Sequence, residues 1–326
     1  MNILIVNDTQ IPATTYGGTE RVIWWLGREL LRQGHSVTYL VGAGSSCPFA
    51  RVLTYDASKD MNQQVPDDID VVHFQFQVLG FTIKPYLCTV HNNSGRGAMD
   101  INSVFVSANH AARNGSTTYV YNGLDISDYR LPNLDNKRSY THFLAKAAWR
   151  VKNVQGAIDV ATKSGNKLVV MGGTRLNLKM GLRFTPKLNV RFKGMVDNDQ
   201  KSEVMNGSKA LLFPVLWNEP FGIAITESLY FGCPVFGTPY GSLPELVPSE
   251  VGLLSNSKGT LVEGLKNVDS FSRQLCHEYA VDNFSIAKMA ADYLKLYELV
   301  LNGGTLNAVA PTLLEPNQPK YLAWVE

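Results

Sequence analysis

Cysteine is scarce in these 326 residues: Cys47, Cys88, Cys233 and Cys276 stand far apart, with neither a Cys-x-x-Cys pair nor the Cys/His spacing of a zinc site. That excludes a disulfide-stapled scaffold and a structural zinc module, and it suits a reducing, cytoplasmic setting. No apolar run approaches the ~20 residues of a membrane span. The opening Met1-Asn2-Ile3-Leu4-Ile5-Val6 lacks the basic start of a secretion signal and reads as a strand, which leaves the Asn-x-Ser match at Asn92-Asn93-Ser94 incidental. Charge of one sign is missing too. A formal net charge of +2 without any Lys/Arg-rich run argues against nucleic acid as a partner. The imbalance that exists is between halves: residues 1–130 carry 9 basic against 11 acidic side chains, leaving 21 against 17 for the rest, so an anionic ligand is slightly favoured by the C-terminal half.

What is present is a rhythm. With 45% apolar residues and no low-complexity tract, the chain can build two cores. Short apolar runs alternate with helical patterns, the mark of βαβ units around buried parallel sheets. Asn2-Ile3-Leu4-Ile5-Val6 predicts a strand, residues 19–33 a helix closed by Gly34, and residues 36–41 the next strand. Further strands are expected at 70–74, 86–91, 103–106 and 118–121, ahead of a polar stretch over 125–139 that contains Pro132. The pattern then restarts, with strands at 140–144, 168–171, 190–192, 210–213 and 234–236 and helices at 155–164 and 222–230. Two series in tandem predict an α/β protein of two Rossmann-like, doubly wound lobes whose parallel sheets face an interdomain cleft. The expected boundaries are 1–130 for the N-terminal lobe, 131–139 for a linker, 140–302 for the C-terminal lobe and 303–326 for a tail. Pro311, Pro316 and Pro319 in that tail allow disorder, and Tyr321 and Trp324 allow equally a segment that docks back on the body.

The segment Trp217-Asn218-Glu219-Pro220-Phe221-Gly222-Ile223-Ala224-Ile225-Thr226-Glu227 is the most informative. A helix starting near Gly222 puts Glu219 in the loop at a strand's carboxyl end and Glu227 one to two turns into the helix, so both border one cleft. The amides of Phe221, Gly222 and Ile223 are then helix-start donors, suited to an anionic or hydroxyl-rich ligand, and Gly222 lets the backbone approach it closely.

With this segment the sequence resembles family 4 of the retaining glycosyltransferases, which have the GT-B fold and a Glu-x7-Glu motif. The likeness continues through Ser228-Leu229-Tyr230-Phe231-Gly232-Cys233-Pro234-Val235 and Tyr240-Gly241-Ser242-Leu243-Pro244-Glu245-Leu246-Val247. The resemblance implies that Glu227 accepts hydrogen bonds from the nucleotide ribose and that Glu219 faces the transferred sugar. It implies that Gly17 and Gly18, in Tyr16-Gly17-Gly18-Thr19-Glu20-Arg21, approach the diphosphate, that His91 contacts the donor sugar, and that Gly194 and Met195 read the base. Asn122-Gly123-Leu124-Asp125 resembles the turn closing the family's N-terminal lobe, while His73 reads as structural. Where the family has Gly-Arg-Leu-x-x-x-Lys-Gly, Lys152 matches the lysine, Ala147 stands at the arginine and Asn153 at the last glycine, so Arg150 or Lys146 is the candidate to replace the missing cation.

The function implied is transfer, with retained configuration, of a sugar from a UDP- or GDP-sugar held by the C-terminal lobe to a hydroxyl of a glycan or lipid-linked acceptor on the N-terminal side. Polysaccharide, lipopolysaccharide or glycoconjugate synthesis of the bacterial type is the expected setting, in the cytoplasm with peripheral contact at the inner membrane face. No cofactor and no metal are expected: Asp68-x-Asp70 and Asp197-x-Asp199 read as a strand lead-in and a helix cap. A nucleotide-sugar-binding protein without transferase activity is the alternative that Ala147 raises. A dinucleotide enzyme is disfavoured, because Asn7-Asp8-Thr9-Gln10-Ile11-Pro12 follows the first strand in place of Gly-x-Gly-x-x-Gly.

Overall fold

Apolar strands flanked by amphipathic helices can hide both faces of a sheet, and this chain does so twice. The computed structural model describes residues 1–13, 17–78, 80–93, 97–178, 180 and 182–326; Tyr16 of the glycine loop and Ser94 of the Asn-x-Ser match lie outside the described residues. The chain begins with β1 (Asn2–Val6), α1 (Gly18–Arg32), β2 (Ser36–Val41), β3 (Arg51–Thr54), β4 (Val71–Phe74), β5 (Tyr86–Val90), β6 (Ser103–Phe105) and α2 (Ala108–Arg113). There follow β7 (Tyr140–Leu144), α3 (Val154–Lys163), β8 (Leu168–Met171), β9 (Leu176–Asn177), β10 (Arg183–Phe184), β11 (Val190–Phe192), α4 (Asn198–Asn206), β12 (Ser208–Phe213) and α5 (Ile223–Tyr230). It ends with β13 (Val235–Gly237), α6 (Leu243–Leu246), β14 (Gly252–Leu254), α7 (Lys258–Lys266), α8 (Arg273–Asn283) and α9 (Ile286–Leu301).

Two compact units result, Met1–Asp125 with Phe284–Asn317 and Ile126–Asn283 with Gln318–Glu326. The first holds a six-stranded parallel sheet in the order β3-β2-β1-β4-β5-β6. The second holds another, β11-β8-β7-β12-β13-β14, which is the same order counted from its own first strand. Each sheet therefore reverses its winding once, between β1 and β4 or between β7 and β12, and open α/β sheets bind ligands beyond the carboxyl ends of the strands at such a point. In the second unit Phe143, Val170, Leu212 and Phe236 of the sheet pack with Ala157, Ile158 and Ala161 of α3 and Leu261 and Leu265 of α7.

Polar groups inside the first unit secure its last helix. His73 of β4 lies 2.8 Å from the Tyr297 hydroxyl through Nδ1 and 2.7 Å from Thr89 Oγ1 through Nε2, and Thr89 is 2.9 Å from the Tyr293 hydroxyl. Gly123 completes the seat of α9, since a Cβ there would fall 2.7 Å from Ile286 Cα. The boundaries thus differ from those read in the sequence: residues 284–302, assigned to the C-terminal lobe, sit with the first unit. The stretch 131–139, read as a linker, is anchored by the buried Arg138, which donates to the carbonyls of Ser208, Phe231 and Gly232 at 2.9, 2.7 and 3.0 Å. The tail divides as well. Thr312 N donates to Asn114 O at 3.0 Å in the first unit, whereas residues 318–326 dock on the second. At 118–121 the expected strand is a single bridge between Tyr119 and Phe105. Among the described residues no helix is long and apolar enough to cross a membrane.

His142 of β7 is buried between the hydroxyls of Ser208 (2.7 Å from Nδ1) and Ser228 of α5 (2.9 Å from Nε2), and burial holds its imidazole down at about 3, against 6.5 ordinarily. The unfolded chain therefore takes up a proton near pH 6.5 that the folded chain refuses, and stability falls as pH drops below that value. In urea titrations, His142→Gln should make the decline below pH 6.5 shallower by up to one proton's worth, about 1.4 kcal/mol per pH unit.

Candidate functional site

At the switch point of the second sheet, the loops after β7 and β12 are joined by Leu216 N donating to Val151 O at 2.7 Å. The first loop makes a 3-10 turn over Arg150–Lys152 and ends on Asn153, whose φ of 53° and ψ of 50° lie in the left-handed region that asparagine tolerates. Its side chain accepts from Gly156 N at 3.0 Å to cap α3 and donates to Pro214 O at 3.0 Å. The residue standing where the family pattern has glycine thus adopts a glycine-like backbone and also fastens the second loop.

These contacts bring Lys152 to Glu219. The lysine Nζ donates to both carboxylate oxygens, at 2.8 and 2.6 Å, and Trp217 Nε1 donates to Oε2 at 2.7 Å. Lys152 Nζ also sits 4.9 Å from the Trp217 ring centre and 5.4 Å from that of Phe213. Both partners are buried, so loss of either would strand a charge out of water at a cost of about 3–5 kcal/mol.

The loop bearing Glu219 is held from two sides. Ser242 N donates to Glu219 O at 2.9 Å and Ser242 Oγ to Phe221 O at 2.7 Å. Gly241 makes this approach feasible: its φ is +63°, and a Cβ there would lie 2.2 Å from Glu219 N and 2.3 Å from Glu219 O. On the other side, Asn218 Nδ2 donates to Gln318 Oε1 at 2.6 Å, Leu322 N to Leu216 O at 2.7 Å, and the Tyr240 hydroxyl to Ala323 O at 2.7 Å. Trp324 packs on the core of the same unit, and the Glu326 side chain meets Lys258 and Lys163.

Beyond Glu219 the chain enters α5 through Gly222, at φ 86° and ψ 69°, with no side chain capping the helix start. The N-cap being glycine, the first turn of α5 has no side-chain cap of its own, and the amides of Gly222 and Ile223 stand at the positive end of the helix. One turn further, Glu227 is 3% exposed, and its Oε1 accepts from the Tyr129 hydroxyl at 2.6 Å and from Lys201 Nζ at 3.1 Å. Lys201 and Tyr129 escape sequence reasoning: Asn198-Asp199-Gln200-Lys201 reads as a solvated helix face, and Tyr129 borders a stretch that reads as a linker. Trp217 lies inside the motif itself, where indole chemistry was the available signal.

The remaining candidates are placed as follows. Arg150 is exposed and donates from Nε to Met180 O at 3.1 Å, while Lys146 Nζ lies 5.2 Å over the Trp149 ring. Ala147 is buried against Gly173. Gly194, at φ 74°, donates to Gly173 O at 3.2 Å and borders a hollow of about 460 Å³ with Gly173, Thr174, Arg191 and Phe192; Met195 beside it is exposed. In the first unit Gly17, at φ 149°, precedes α1, where a Cβ would meet the Glu20 carboxylate at 2.5 Å, and Gly18 opens the helix. His91 directly follows β5, with Nε2 2.8 Å from Gln75 Oε1, and burial lowers its imidazole to about 4, leaving it neutral at neutral pH. Gln75 Nε2 has no hydrogen-bond partner among the described residues. Asp197 accepts from Gln200 N at 2.8 Å as the cap of α4, and Asp70 accepts from Asn2 N at 2.7 Å. Among the described residues, no three His, Cys, Asp or Glu side chains gather as a metal-binding group.

Residues 129–276, which include Tyr129, Lys152, Lys201, Glu219 and Glu227, match the family model described as glycosyl transferases group 1. No match is found among curated proteins. Among solved structures, the chain is similar to AviGT4, a glycosyltransferase involved in avilamycin A biosynthesis (21% identity, TM-score 0.77, covering 93% of this chain and 99% of that one). It is similar to the sucrose-phosphate synthase of Thermosynechococcus elongatus (15% identity, TM-score 0.70, covering 93% and 100%). Anabaena HepE in complex with UDP and glucose is a third (14% identity, TM-score 0.65, covering 91% and 99%). With the two parallel sheets, these likenesses establish the α/β, GT-B class of fold expected from the sequence.

Gly241→Ala should displace the Glu219 loop. The strained φ alone costs about 1–2 kcal/mol, and the overlap with Glu219 adds to it. Chemical denaturation should show a loss of at least about 2 kcal/mol; a fully stable variant would mean that the loop is not seated on Gly241.

Proposed function

We propose that this protein is a retaining, metal-independent glycosyltransferase that takes a sugar from a nucleotide-sugar bound by its second unit. The observation that carries the reading is the pairing of two buried carboxylates with two lysines, Glu219 with Lys152 and Glu227 with Lys201, on either side of the uncapped start of α5. In this proposal the base lies at Gly194 and Met195, the ribose hydroxyls donate to Glu227, and the diphosphate faces the amides of Phe221, Gly222 and Ile223 together with Lys152. Gly17, Gly18 and His91 keep the roles the resemblance gives them, and Arg150 is the candidate second cation for the diphosphate. A UDP-sugar or GDP-sugar is the donor class; UDP and glucose in the Anabaena neighbour support the former.

The acceptor hydroxyl, on a glycan or a lipid-linked carrier, attacks the anomeric carbon from the face the diphosphate leaves. The bond to the diphosphate breaks, its electron pair stays on the leaving oxygen, and the acceptor's proton passes to that oxygen. The work is electrostatic: Lys152 and the helix-start amides stabilise charge that grows only as the bond breaks. A second reading, donor binding without transfer, is favoured by one observation, the buried Ala147 where the family pattern has arginine.

Transfer or donor hydrolysis assayed with UDP- and GDP-sugars in EDTA tests the proposal, and activity that vanishes in EDTA and returns with magnesium or manganese would overturn metal independence. By calorimetry, Glu227→Gln should weaken nucleoside diphosphate binding by about 1.5–3 kcal/mol. Glu219→Ala should lower transfer by orders of magnitude while nucleoside diphosphate affinity holds or rises, because the substitution releases Lys152 to the phosphates. A large loss of affinity in a folded Glu219→Ala variant would contradict that division of labour.

A further inference from the structure

The hairpin of β9 and β10 is built inside out. Residues 176–184 alternate in polarity along the sequence, and the pairing of Leu176 with Phe184 and of Asn177 with Arg183 puts the first pair on one face and the second on the other. It is the polar face that turns inward. Arg183 is half-buried, with its guanidinium 5.3 Å over the Phe192 ring, and at the hairpin's base Arg175 donates to the carbonyls of Thr185, Lys187 and Val190 at 2.6, 3.0 and 2.6 Å. Leu176, Leu178, Met180, Leu182, Phe184 and the nearby Leu188 are each more than half exposed, from 53% at Leu176 to 98% at Leu188. Among the described residues the hairpin shares no hydrogen-bonded strand with the main sheet, and Arg175, Arg183 and Arg150, whose Nε donates to Met180 O at 3.1 Å, hold its orientation.

Basic residues are frequent in the same segment. Residues 172–193 contain Arg175, Lys179, Arg183, Lys187, Arg191 and Lys193 and no Asp or Glu. The basic residues fall at every fourth position from 175 to 191 and so form no contiguous run. Lys187 is 3.4 Å from Asp159 on α3, and Arg191 is exposed.

We propose that this hairpin docks on the surface of a bilayer containing anionic lipids, with Leu176, Leu178 and Phe184 entering the acyl boundary and the neighbouring Lys187, Arg191 and Lys193 facing the headgroups. An exposed aliphatic and aromatic face beside cations is the arrangement that both terms of peripheral membrane binding reward. A second copy of this chain fits less well, since a symmetric contact through the same face would oppose like charges. A fluid hydrocarbon phase, unlike a protein partner, requires no shape match to separately projecting side chains. The inference stands apart from the transferase reading and supplies a physical basis for peripheral membrane contact.

Cosedimentation of the full chain with phosphatidylcholine vesicles, with and without phosphatidylglycerol, is the test. Binding is expected only with phosphatidylglycerol, weakening as salt is raised. The double variant Leu178→Ser, Phe184→Ser, whose side chains are already exposed and whose fold is checked by circular dichroism, should bind at least about tenfold more weakly. No binding to phosphatidylglycerol vesicles at low salt, or equal binding by the double variant, would overturn the proposal. So would a concentration-dependent dimer that ignores vesicles and is lost in the variant, which would assign the face to a second copy. Thermal shifts with UDP and GDP, recorded without vesicles, report on the transferase reading separately.

Discussion

A carboxylate taken out of water must find a cation or a set of donors, or it does not stay charged. Glu219 and Glu227 are both withdrawn from solvent within eight residues of each other, and each is met by a lysine from elsewhere in the chain, 67 and 26 residues away. Much of the second unit follows from that requirement. β7 must lie beside β12 for the loop carrying Lys152 to reach Glu219, and α4 must direct Lys201 at α5. His142 links the two elements by bridging Ser208 at the start of β12 and Ser228 in α5. A lysine paired in this way has little freedom, and fixed charge is what electrostatic catalysis requires, because no reorganisation is then needed when the leaving group becomes negative.

The two sheets share one strand order, and the topology settles where chemistry can occur before any side chain is considered. In a doubly wound sheet the loops at the switch point diverge, and whatever they carry is presented at the carboxyl ends of the strands. Lys152 and Glu219 come from the two loops at that point in the second unit. In the first unit the loop before Gly17 follows β1, Gln75 follows β4 and His91 follows β5. The last helix belongs to the first unit because His73, Thr89, Tyr293 and Tyr297 form one buried hydrogen-bonded chain, for which an apolar interface would offer no substitute.

The buried strands of both sheets were legible as continuous apolar runs, because strands covered on both faces have no polar side to show. Two of the four edge strands were not: Arg51–Thr54 is exposed or half-exposed throughout, and Gly252–Leu254 is only three residues long, so neither produces a run. Nothing between α8 and α9 marks a change of unit, since Phe284 and Ser285 could serve either, and the boundary at 302 followed from that silence. At the site, the motif around Glu219 to Glu227 was readable, whereas its partners were not. Lys201 becomes visible only when its helix is seen to bury it, and Tyr129 only when the supposed linker is seen to pack. Asn153 looked like a departure from the family pattern, yet its left-handed backbone restores what the glycine would supply.

Cancellation of charge also bears on what draws a ligand to the site. Lys152 with Glu219 and Lys201 with Glu227 amount to two neutral pairs, so neither lysine offers an uncompensated positive charge to an approaching anion. What remains attractive is the start of α5, where the helix dipole points outward past a glycine N-cap that brings no side chain of its own. A diphosphate bound there would lie near enough to compete with Glu219 for Lys152, and the carboxylate would then need the Trp217 indole, already 2.7 Å away, as its remaining donor. Trp217 is thereby more than a hydrophobic neighbour. It allows Glu219 to share its lysine with a ligand without being left buried and unsatisfied, which is the condition under which one ion pair can serve both the folded protein and the leaving group.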